Sequence, residues 1–154
     1  MGDRQPGGVR GHRRAEADEK PQREAERIRR QIAVLAALKA FSMWSVAPII
    51  GEYLDGVCTS GLWEARLASE FYDGEIATYC AAYKPAELAE VCRLSDHVIF
   101  NSPGQLQRYA PILEEARAAG QRFDIGLRIN PEVGIGGTAK LTYSGRKPTK
   151  FGIY

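Results

Sequence analysis

A lysine at position 39 has the type and the placement that imine chemistry requires. Lys39 comes directly after the apolar run from Ile32 to Leu38, and parallel α/β folds place their reactive groups at the carboxyl ends of strands. An amine that is partly removed from water holds its proton less tightly and can condense with an aldehyde. Position alone leaves a second interpretation open, in which Lys39 is a solvated lysine that caps a strand.

Other residue types that carry chemistry are arranged less favourably. The segment Gly134-Ile-Gly-Gly137 is rich in glycine, but it lacks the G-x-G-x-x-G spacing of a phosphate cradle, and we interpret it as a flexible loop. His97 opens an apolar run at the end opposite to the one where such folds do chemistry. His12 lies in a polar leader, so neither histidine is a candidate for the site.

Composition and charge are those of an ordinary globular chain. The chain has 21 basic and 19 acidic residues and a formal net charge of +2, too small to predict nucleic acid or an anionic membrane as the main partner. The run from Ile32 to Leu38 is too short for a membrane span, and the arginine-rich N-terminus lacks the apolar core of a signal peptide. Because the three cysteines are odd in number and form no C-x-x-C pair, we expect no disulfide framework, no metal site and a cytoplasmic location. They are Cys58, Cys80 and Cys92.

The elements that must position these residues alternate between strands and helices. Residues 1–22 combine glycine, proline and mixed charges with few apolar side chains, which predicts a disordered leader. Later in the chain, Ser102-Pro103 opens a helix that Pro111 is expected to kink or split. Strands alternating with helices at roughly twenty-residue spacing predict right-handed crossovers and a parallel sheet of the α/β class. The candidate strands are centred near Leu35, Val57, Ala77, Ile99 and Leu127.

Two architectures fit this alternation. One is a flavodoxin-like open sheet, and the other is part of a (β/α)8, or TIM-type, barrel. A complete barrel needs about 250 residues, and the chain holds about five βα units. As a barrel it would therefore be partial and open, with two unpaired parallel edges that invite aggregation or pairing with another chain.

Five segments, in order along the chain, resemble a known enzyme family. They are Ala37-Leu-Lys-Ala-Phe-Ser-Met-Trp-Ser45, Leu54-Asp-Gly-Val-Cys-Thr-Ser-Gly-Leu-Trp-Glu-Ala-Arg-Leu67, Ile99-Phe-Asn-Ser-Pro-Gly-Gln-Leu106, Gly126-Leu-Arg-Ile-Asn-Pro131 and Lys150-Phe-Gly-Ile153. Together they resemble the carboxynorspermidine/carboxyspermidine decarboxylases, which belong to an alanine-racemase-like group with diaminopimelate and ornithine decarboxylases. The first segment resembles the cofactor-lysine segment of the family, and the fourth resembles its G-L-R-I-N-P strand.

The resemblance implies a pyridoxal-phosphate enzyme of polyamine biosynthesis. Residues 23–154 would be the N-terminal portion of its barrel, which packs beside a C-terminal β domain in a homodimer. The substrate would be a small-molecule polyamine precursor, carboxynorspermidine or carboxyspermidine, and the product norspermidine or spermidine. Lys39 would form the imine with pyridoxal phosphate, whose conjugated ring delocalises the carbanion that loss of the carboxylate leaves.

The resemblance also assigns further residues to the cofactor site. Arg128 matches an arginine near the cofactor, where a fixed cation organises acidic groups or the cofactor's ring oxygen; the alternative is a surface arginine at a strand end. Glu64, with Ser60, falls where related decarboxylases place a carboxylate that assists the cofactor, and the alternative is a solvated first-turn glutamate paired with the helix dipole. We expect Asn101 and Ser102 to cap a helix rather than to contact a ligand.

The sequence departs from the family's pattern at both ends. The leader does not resemble the family's opening strand and helix, and the segments expected to carry a cofactor-stacking histidine and a glycine-rich phosphate loop would lie beyond Tyr154. We therefore expect an incomplete chain that is a poor decarboxylase, or an inactive one, on its own. The alternatives are an inactive cofactor-binding or interaction fragment, a relative of diaminopimelate or ornithine decarboxylase, and a small flavodoxin-like regulatory domain.

Overall fold

A computed structural model of the chain describes residues 33–132 and 149–153. The predicted leader over residues 1–22 and the glycine-rich segment from Gly134 to Gly137 lie outside the described residues. All the helices and strands within the described residues belong to one compact unit that begins at Leu35. In chain order they are β1 (Leu35–Ala37), a 3-10 helix (Trp44–Val46), α1 (Ala47–Tyr53), β2 (Gly56–Thr59), α2 (Leu62–Phe71), β3 (Glu75–Tyr79), α3 (Pro85–Leu94), β4 (His97–Phe100), α4 (Pro103–Ala118) and β5 (Asp124–Leu127).

The five strands form one parallel sheet in the order β1-β2-β3-β4-β5. A doubly wound, flavodoxin-like sheet reverses its strand order at a switch point, whereas this sheet has no reversal between β1 and β5. In a TIM-type barrel each strand pairs with the next one along the chain. The predicted partial barrel is therefore confirmed, and the flavodoxin-like alternative is wrong for the described residues.

The two faces of the sheet differ in burial. Side chains that face the helices are buried, and Val57, Val98 and Phe100 are at most 1% exposed. Several residues on the opposite face are only half-buried, as Cys58 and Tyr79 illustrate, although Ala77 between them is buried. Parallel sheets are ordinarily covered on both faces, and in a closed barrel the second face is the packed interior. Helices thus cover one face of the described sheet, whereas the described residues cover the opposite face only in part.

Hydroxyl groups make a set of hydrogen bonds on the buried face of the sheet. Thr59 Oγ1 lies 2.7 Å from Thr78 Oγ1, which in turn lies 2.6 Å from Ser95 Oγ. The hydroxyl of Tyr83 lies 2.9 Å from the carbonyl oxygen of Thr78, and Tyr109 donates to the carbonyl oxygen of Tyr83 at 2.6 Å. Burial raises the pKa of Tyr83, which keeps its hydroxyl protonated as a donor. These contacts satisfy polar groups that would be costly to bury alone.

Helix α4 runs through Pro111 without interruption. Proline removes one backbone donor and crowds the preceding turn, which is why a kink or a split was expected. Tyr109, Leu113 and Ala116 are buried in the main apolar cluster, so tertiary packing holds the helix on both sides of the proline. Of the two expected outcomes, the split is therefore wrong, and a kink at Pro111 stays a prediction.

None of the described helices combines the length and the hydropathy that a membrane span requires. No group of three or more histidine, cysteine, aspartate or glutamate side chains within the described residues is arranged to hold a metal ion.

The turn between α2 and β3 requires glycine at position 74. Gly74 has a φ of +89°, and a Cβ there would lie 2.2 Å from the carbonyl oxygen of Asp55. The same carbonyl accepts a hydrogen bond from the Glu75 N–H at 2.9 Å. A side chain at Gly74 would therefore disturb the start of β3 as well as the turn.

We predict that Gly74→Ala lowers the free energy of unfolding by about 1–3 kcal/mol, because the backbone must move to relieve both the clash and the positive φ. Gly104→Ala is the matched control, since nothing lies within 4 Å of a Cβ at that helical position. That change should leave stability unchanged or raise it by up to about 1 kcal/mol. Urea unfolding followed by circular dichroism measures both. Equal losses in the two variants would contradict this account of the turn.

The three free cysteines differ in burial, and this predicts their order of reaction. Cys92 is 1% exposed, and burial raises the pKa of its thiol to about 11, whereas Cys58 and Cys80 are half-buried. Because the thiolate is the reactive form, iodoacetamide at pH 8 should label Cys58 and Cys80 before Cys92 in the folded protein. Labelling in urea should make the three rates similar. Peptide mass mapping follows the reaction, and a fast-reacting Cys92 under native conditions would refute the prediction.

Candidate functional site

The carboxyl ends of the parallel strands lie along one edge of the sheet, here called the carboxyl edge. Because every strand pairs with the next in sequence, the residues that follow the strands lie along this edge in chain order. Three of the predicted site residues are among them, after β1, β2 and β5. They are Lys39, Ser60 and Arg128.

Lys39 lies in the turn directly after β1, as the sequence predicts. The Leu38 N–H donates to the carbonyl oxygen of Cys58 at 3.1 Å, which carries the pairing of β1 one residue further. Two N–H groups, those of Ala40 and Phe41, then donate to the carbonyl oxygen of Ala37 and close the turn. The Lys39 side chain is exposed. The described residues therefore place this amine at the carboxyl edge but do not remove it from water.

Ser60 and Glu64 are brought together at the carboxyl end of β2. The Ser60 N–H donates to Glu64 Oε2 at 2.8 Å, and Glu64 belongs to the first turn of α2. Its carboxylate thus satisfies a backbone donor just ahead of the helix, where donors lack helical partners. This contact supports the alternative in which Glu64 serves the helix terminus. A role for either residue toward a cofactor stays a prediction.

Arg128 is held between two aromatic rings. Its Cζ lies 4.6 Å from the ring centroid of Tyr79 and 4.7 Å from that of Phe151. The Arg128 N–H donates to the carbonyl oxygen of Phe100, and its own carbonyl oxygen accepts from the Ile153 N–H, both at 2.9 Å. A guanidinium over an aromatic face is attracted by the ring quadrupole. Arg128 is therefore a positioned cation at the carboxyl edge rather than a loose surface arginine.

Asn101 has a role that its sequence neighbourhood did not predict. Its side-chain oxygen accepts from the Tyr79 hydroxyl at 2.7 Å and from the Gly152 N–H at 2.8 Å, while its Nδ2 donates to the carbonyl oxygen of Lys150 at 2.9 Å. Ser102 caps α4, since its hydroxyl accepts from the Gln105 N–H at 3.1 Å. The expected capping role is confirmed for Ser102 and wrong for the Asn101 side chain.

Residues 149–153 continue the sheet beside the chain that leaves β5. Ile129 and Ile153 form a parallel bridge, and the Asn130 N–H donates to the carbonyl oxygen of Ile153 at 2.7 Å. Gly152 has a φ of +79°, and a Cβ there would lie 2.9 Å from the Asn130 nitrogen. The close approach of this segment explains why a glycine follows Phe151.

His97 lies at the amino end of β4, away from the carboxyl edge. Its Nε2 is 3.5 Å from a Glu75 carboxylate oxygen, and its Nδ1 is 3.6 Å from an Asp124 carboxylate oxygen. The expectation that His97 lies at the end of its strand opposite to the carboxyl edge is confirmed.

Two residues at the carboxyl edge offer groups of the kinds that pyridoxal phosphate requires. That cofactor needs an amine to condense with its aldehyde, and fixed donors for its phosphate. Lys39 offers an exposed amine at a strand end, and Arg128 offers a fixed cation on the same edge. The glycine-rich segment from Gly134 to Gly137, considered above as a phosphate cradle, lies outside the described residues.

Comparison with curated sequences agrees with the resemblance read from the five segments. No family model matches the chain. It is 41% identical over 102 residues to a carboxynorspermidine/carboxyspermidine decarboxylase of Campylobacter jejuni and 39% identical over 100 residues to one of Herminiimonas arsenicoxydans. It is also 40% identical over 101 residues to a carboxyaminopropylagmatine decarboxylase of Synechocystis. These alignments cover 65–66% of this chain and 25–26% of the relatives, so the chain spans about a quarter of their length.

Comparison with solved structures agrees with the barrel topology. The Campylobacter jejuni carboxynorspermidine decarboxylase complexed with norspermidine superposes with a TM-score of 0.65 at 33% identity, over 84% of this chain and 30% of that one. The Helicobacter pylori diaminopimelate decarboxylase complexed with L-lysine superposes with a TM-score of 0.62 at 21% identity, over 78% of this chain and 30% of that one. The second match shows the shared fold alone.

The contact between Ser60 and Glu64 predicts different effects for two changes at Glu64. Glu64→Ala should lower the free energy of unfolding by about 0.5–2 kcal/mol, because a donor ahead of α2 loses its acceptor. Glu64→Gln is the matched control, since its amide oxygen can still accept from the Ser60 N–H. Thermal unfolding measures both variants. A loss in Glu64→Gln as large as that in Glu64→Ala would show that the charge matters more than the hydrogen bond.

Proposed function

We propose that this chain, whose sequence corresponds to the N-terminal part of the carboxynorspermidine/carboxyspermidine decarboxylases, is the lysine-bearing part of a pyridoxal-phosphate-dependent decarboxylase of polyamine biosynthesis. The substrate would be carboxynorspermidine or carboxyspermidine, and the product norspermidine or spermidine. The observation that supports this proposal most directly is the position of Lys39 at the carboxyl end of β1, in a sheet that superposes on the Campylobacter jejuni decarboxylase.

Each residue at the carboxyl edge has a separate task in this proposal. When bound, the cofactor supplies an electron sink for the carbanion that decarboxylation leaves. Lys39 would hold the cofactor through its amine. Arg128 would place a permanent positive charge nearby, since a guanidinium does not lose its proton in proteins. Glu64, fixed by its contact with Ser60, would keep the loop after β2 in place and supply the carboxylate that assists the cofactor.

Lys39 also needs an environment that the described residues do not provide. Its side chain is exposed, whereas an imine-forming amine works best when it is partly sheltered from water. The relatives share only about a quarter of their length with this chain. We therefore propose that shelter and phosphate contacts come from further barrel segments and from a partner subunit in a homodimer, and that this polypeptide alone is a poor decarboxylase or an inactive one. The cytoplasm is the compartment we propose for it.

A second candidate function is favoured by the open face of the sheet. One face carries mostly half-buried side chains, and β1 is an outer strand of the described sheet, whereas the chain that leaves β5 pairs with residues 149–153. An outer strand of a parallel sheet is a place at which another chain can add. A cofactor-binding or interaction fragment without turnover would use the same lysine and the outer side of β1.

We predict that pyridoxal phosphate followed by borohydride marks Lys39 in the folded full-length chain. Peptide mass mapping should locate the reduced adduct at Lys39, and Lys39→Ala should abolish it. Lys84→Ala is the matched control, because Lys84 also follows a strand on the carboxyl side but forms an ion pair with Glu87 at 2.9 Å. The Lys84→Ala variant should form the same adduct at Lys39 as the wild type. Adducts spread evenly over the lysines, or none in a folded sample, would refute the cofactor assignment.

Turnover tests the decarboxylase assignment in one direction. Release of carbon dioxide from carboxynorspermidine by the wild-type chain, absent in Lys39→Ala, would establish the enzyme and refute the fragment without turnover. An adduct at Lys39 without turnover is the result expected of the polypeptide alone under either candidate.

A further inference from the structure

The Asn101 side chain meets two opposite requirements of one short backbone segment. The Gly152 N–H needs an acceptor, and the Lys150 carbonyl oxygen needs a donor. The Asn101 amide supplies both, at 2.8 Å and 2.9 Å. A carboxylate offers acceptors only, and an aliphatic side chain offers neither group. An amide is thus the chemistry that this position demands.

The same amide is hydrogen-bonded to the hydroxyl of one ring beside Arg128 and to the backbone on either side of the other. Phe151 stands between Lys150 and Gly152, the two residues whose backbone Asn101 binds. The Tyr79 hydroxyl donates to Asn101 Oδ1 at 2.7 Å. The rings of Tyr79 and Phe151 are 6.5 Å apart at an interplanar angle of 54°, and the Arg128 guanidinium lies over both.

We propose that Asn101 is a positioning residue that sets the spacing of the Tyr79 and Phe151 rings and thereby fixes the Arg128 guanidinium at the carboxyl edge. The proposal deepens the proposed function and rests on it only for the task given to Arg128. The clamp itself, defined as Tyr79, Asn101, Phe151 and the Arg128 between the rings, consists of contacts within this chain. It can be tested without cofactor.

The backbone around the clamp has anchors that do not depend on the Asn101 side chain. The Arg128 N–H donates a hydrogen bond to the carbonyl oxygen of Phe100, and the Arg128 carbonyl oxygen accepts one from the Ile153 N–H. The Asn101 N–H donates to Gln105 Oε1 at 2.8 Å. A change in the Asn101 side chain should therefore release the rings while the neighbouring strands and α4 keep their hydrogen bonds.

The test follows the Nε–H resonance of Arg128 in the 15N-labelled full-length chain without cofactor, assigned through its loss in Arg128→Lys. Ring currents from two aromatic faces should displace this resonance upfield. Asn101→Ala should abolish most of the displacement. Asn101→Asp should lose part of it, because a carboxylate cannot donate to the Lys150 carbonyl oxygen. Tyr79→Phe, which keeps the ring and removes only the hydroxyl, should also lose part.

Ser102→Ala is the control, since it removes the neighbouring helix cap without touching the clamp, and its Arg128 resonance should match the wild type. If Asn101→Ala fails to fold, Asn101→Asp and Tyr79→Phe decide, because both nearly preserve side-chain volume. A wild-type Arg128 shift in the folded Asn101 and Tyr79 variants would overturn the proposal.

Cofactor affinity gives a second readout that separates this proposal from the proposed function. In a double-mutant cycle, Asn101→Ala and Arg128→Ala should each weaken pyridoxal phosphate binding, and the double variant should be no weaker than Arg128→Ala alone. If the losses of binding free energy in the two single variants add up fully in the double variant, Asn101 does not act on cofactor binding through Arg128. If the wild type forms no adduct at Lys39, the proposed function fails, and the resonance of Arg128 still decides the clamp.

Discussion

Parallel pairing of each strand with the next one along the chain is the constraint on which the other features depend. Lys39 and Arg128 are far apart in sequence, yet both follow strands of one sheet and therefore lie along the same edge. The helices between the strands cover one face, because consecutive right-handed crossovers all return on the same side. The carboxyl edge, the face covered by helices and the opposite face therefore all result from the pairing of consecutive strands.

Much of this arrangement was predictable from local patterns. Apolar runs near Val57 and Ile99 coincide with strands β2 and β4, and the Ser102-Pro103 pair marks the start of α4. Hydrophobic periodicity and the residues that begin a helix are patterns of a few neighbouring residues. A single sequence is therefore enough to recognise them. The choice between a barrel and a flavodoxin-like sheet could not be made in this way, since both share the same alternation and differ only in which strands pair.

The features that escaped prediction are long-range. Pro111 does not divide α4, because buried neighbours hold the helix together. The contacts of Asn101 reach residues 150 and 152, and a local view sees only an asparagine beside a helix start. Two of the segments that carry the family resemblance, those that contain Asn101 and Phe151, proved to touch each other. The placement of Lys39 was predicted, whereas its exposure depends on what packs over the carboxyl edge.

The order of the strands also bears on how the protein is made. Because β1 to β5 pair in the order in which a ribosome synthesises them, each new βα unit finds its docking partner already complete. Each loop that must close spans only one βα unit, and a shorter loop closes at a lower entropic cost. Within the described sheet, growth during translation can therefore proceed from a single advancing margin, and each strand from β1 to β4 waits only for the next βα unit to gain its next partner.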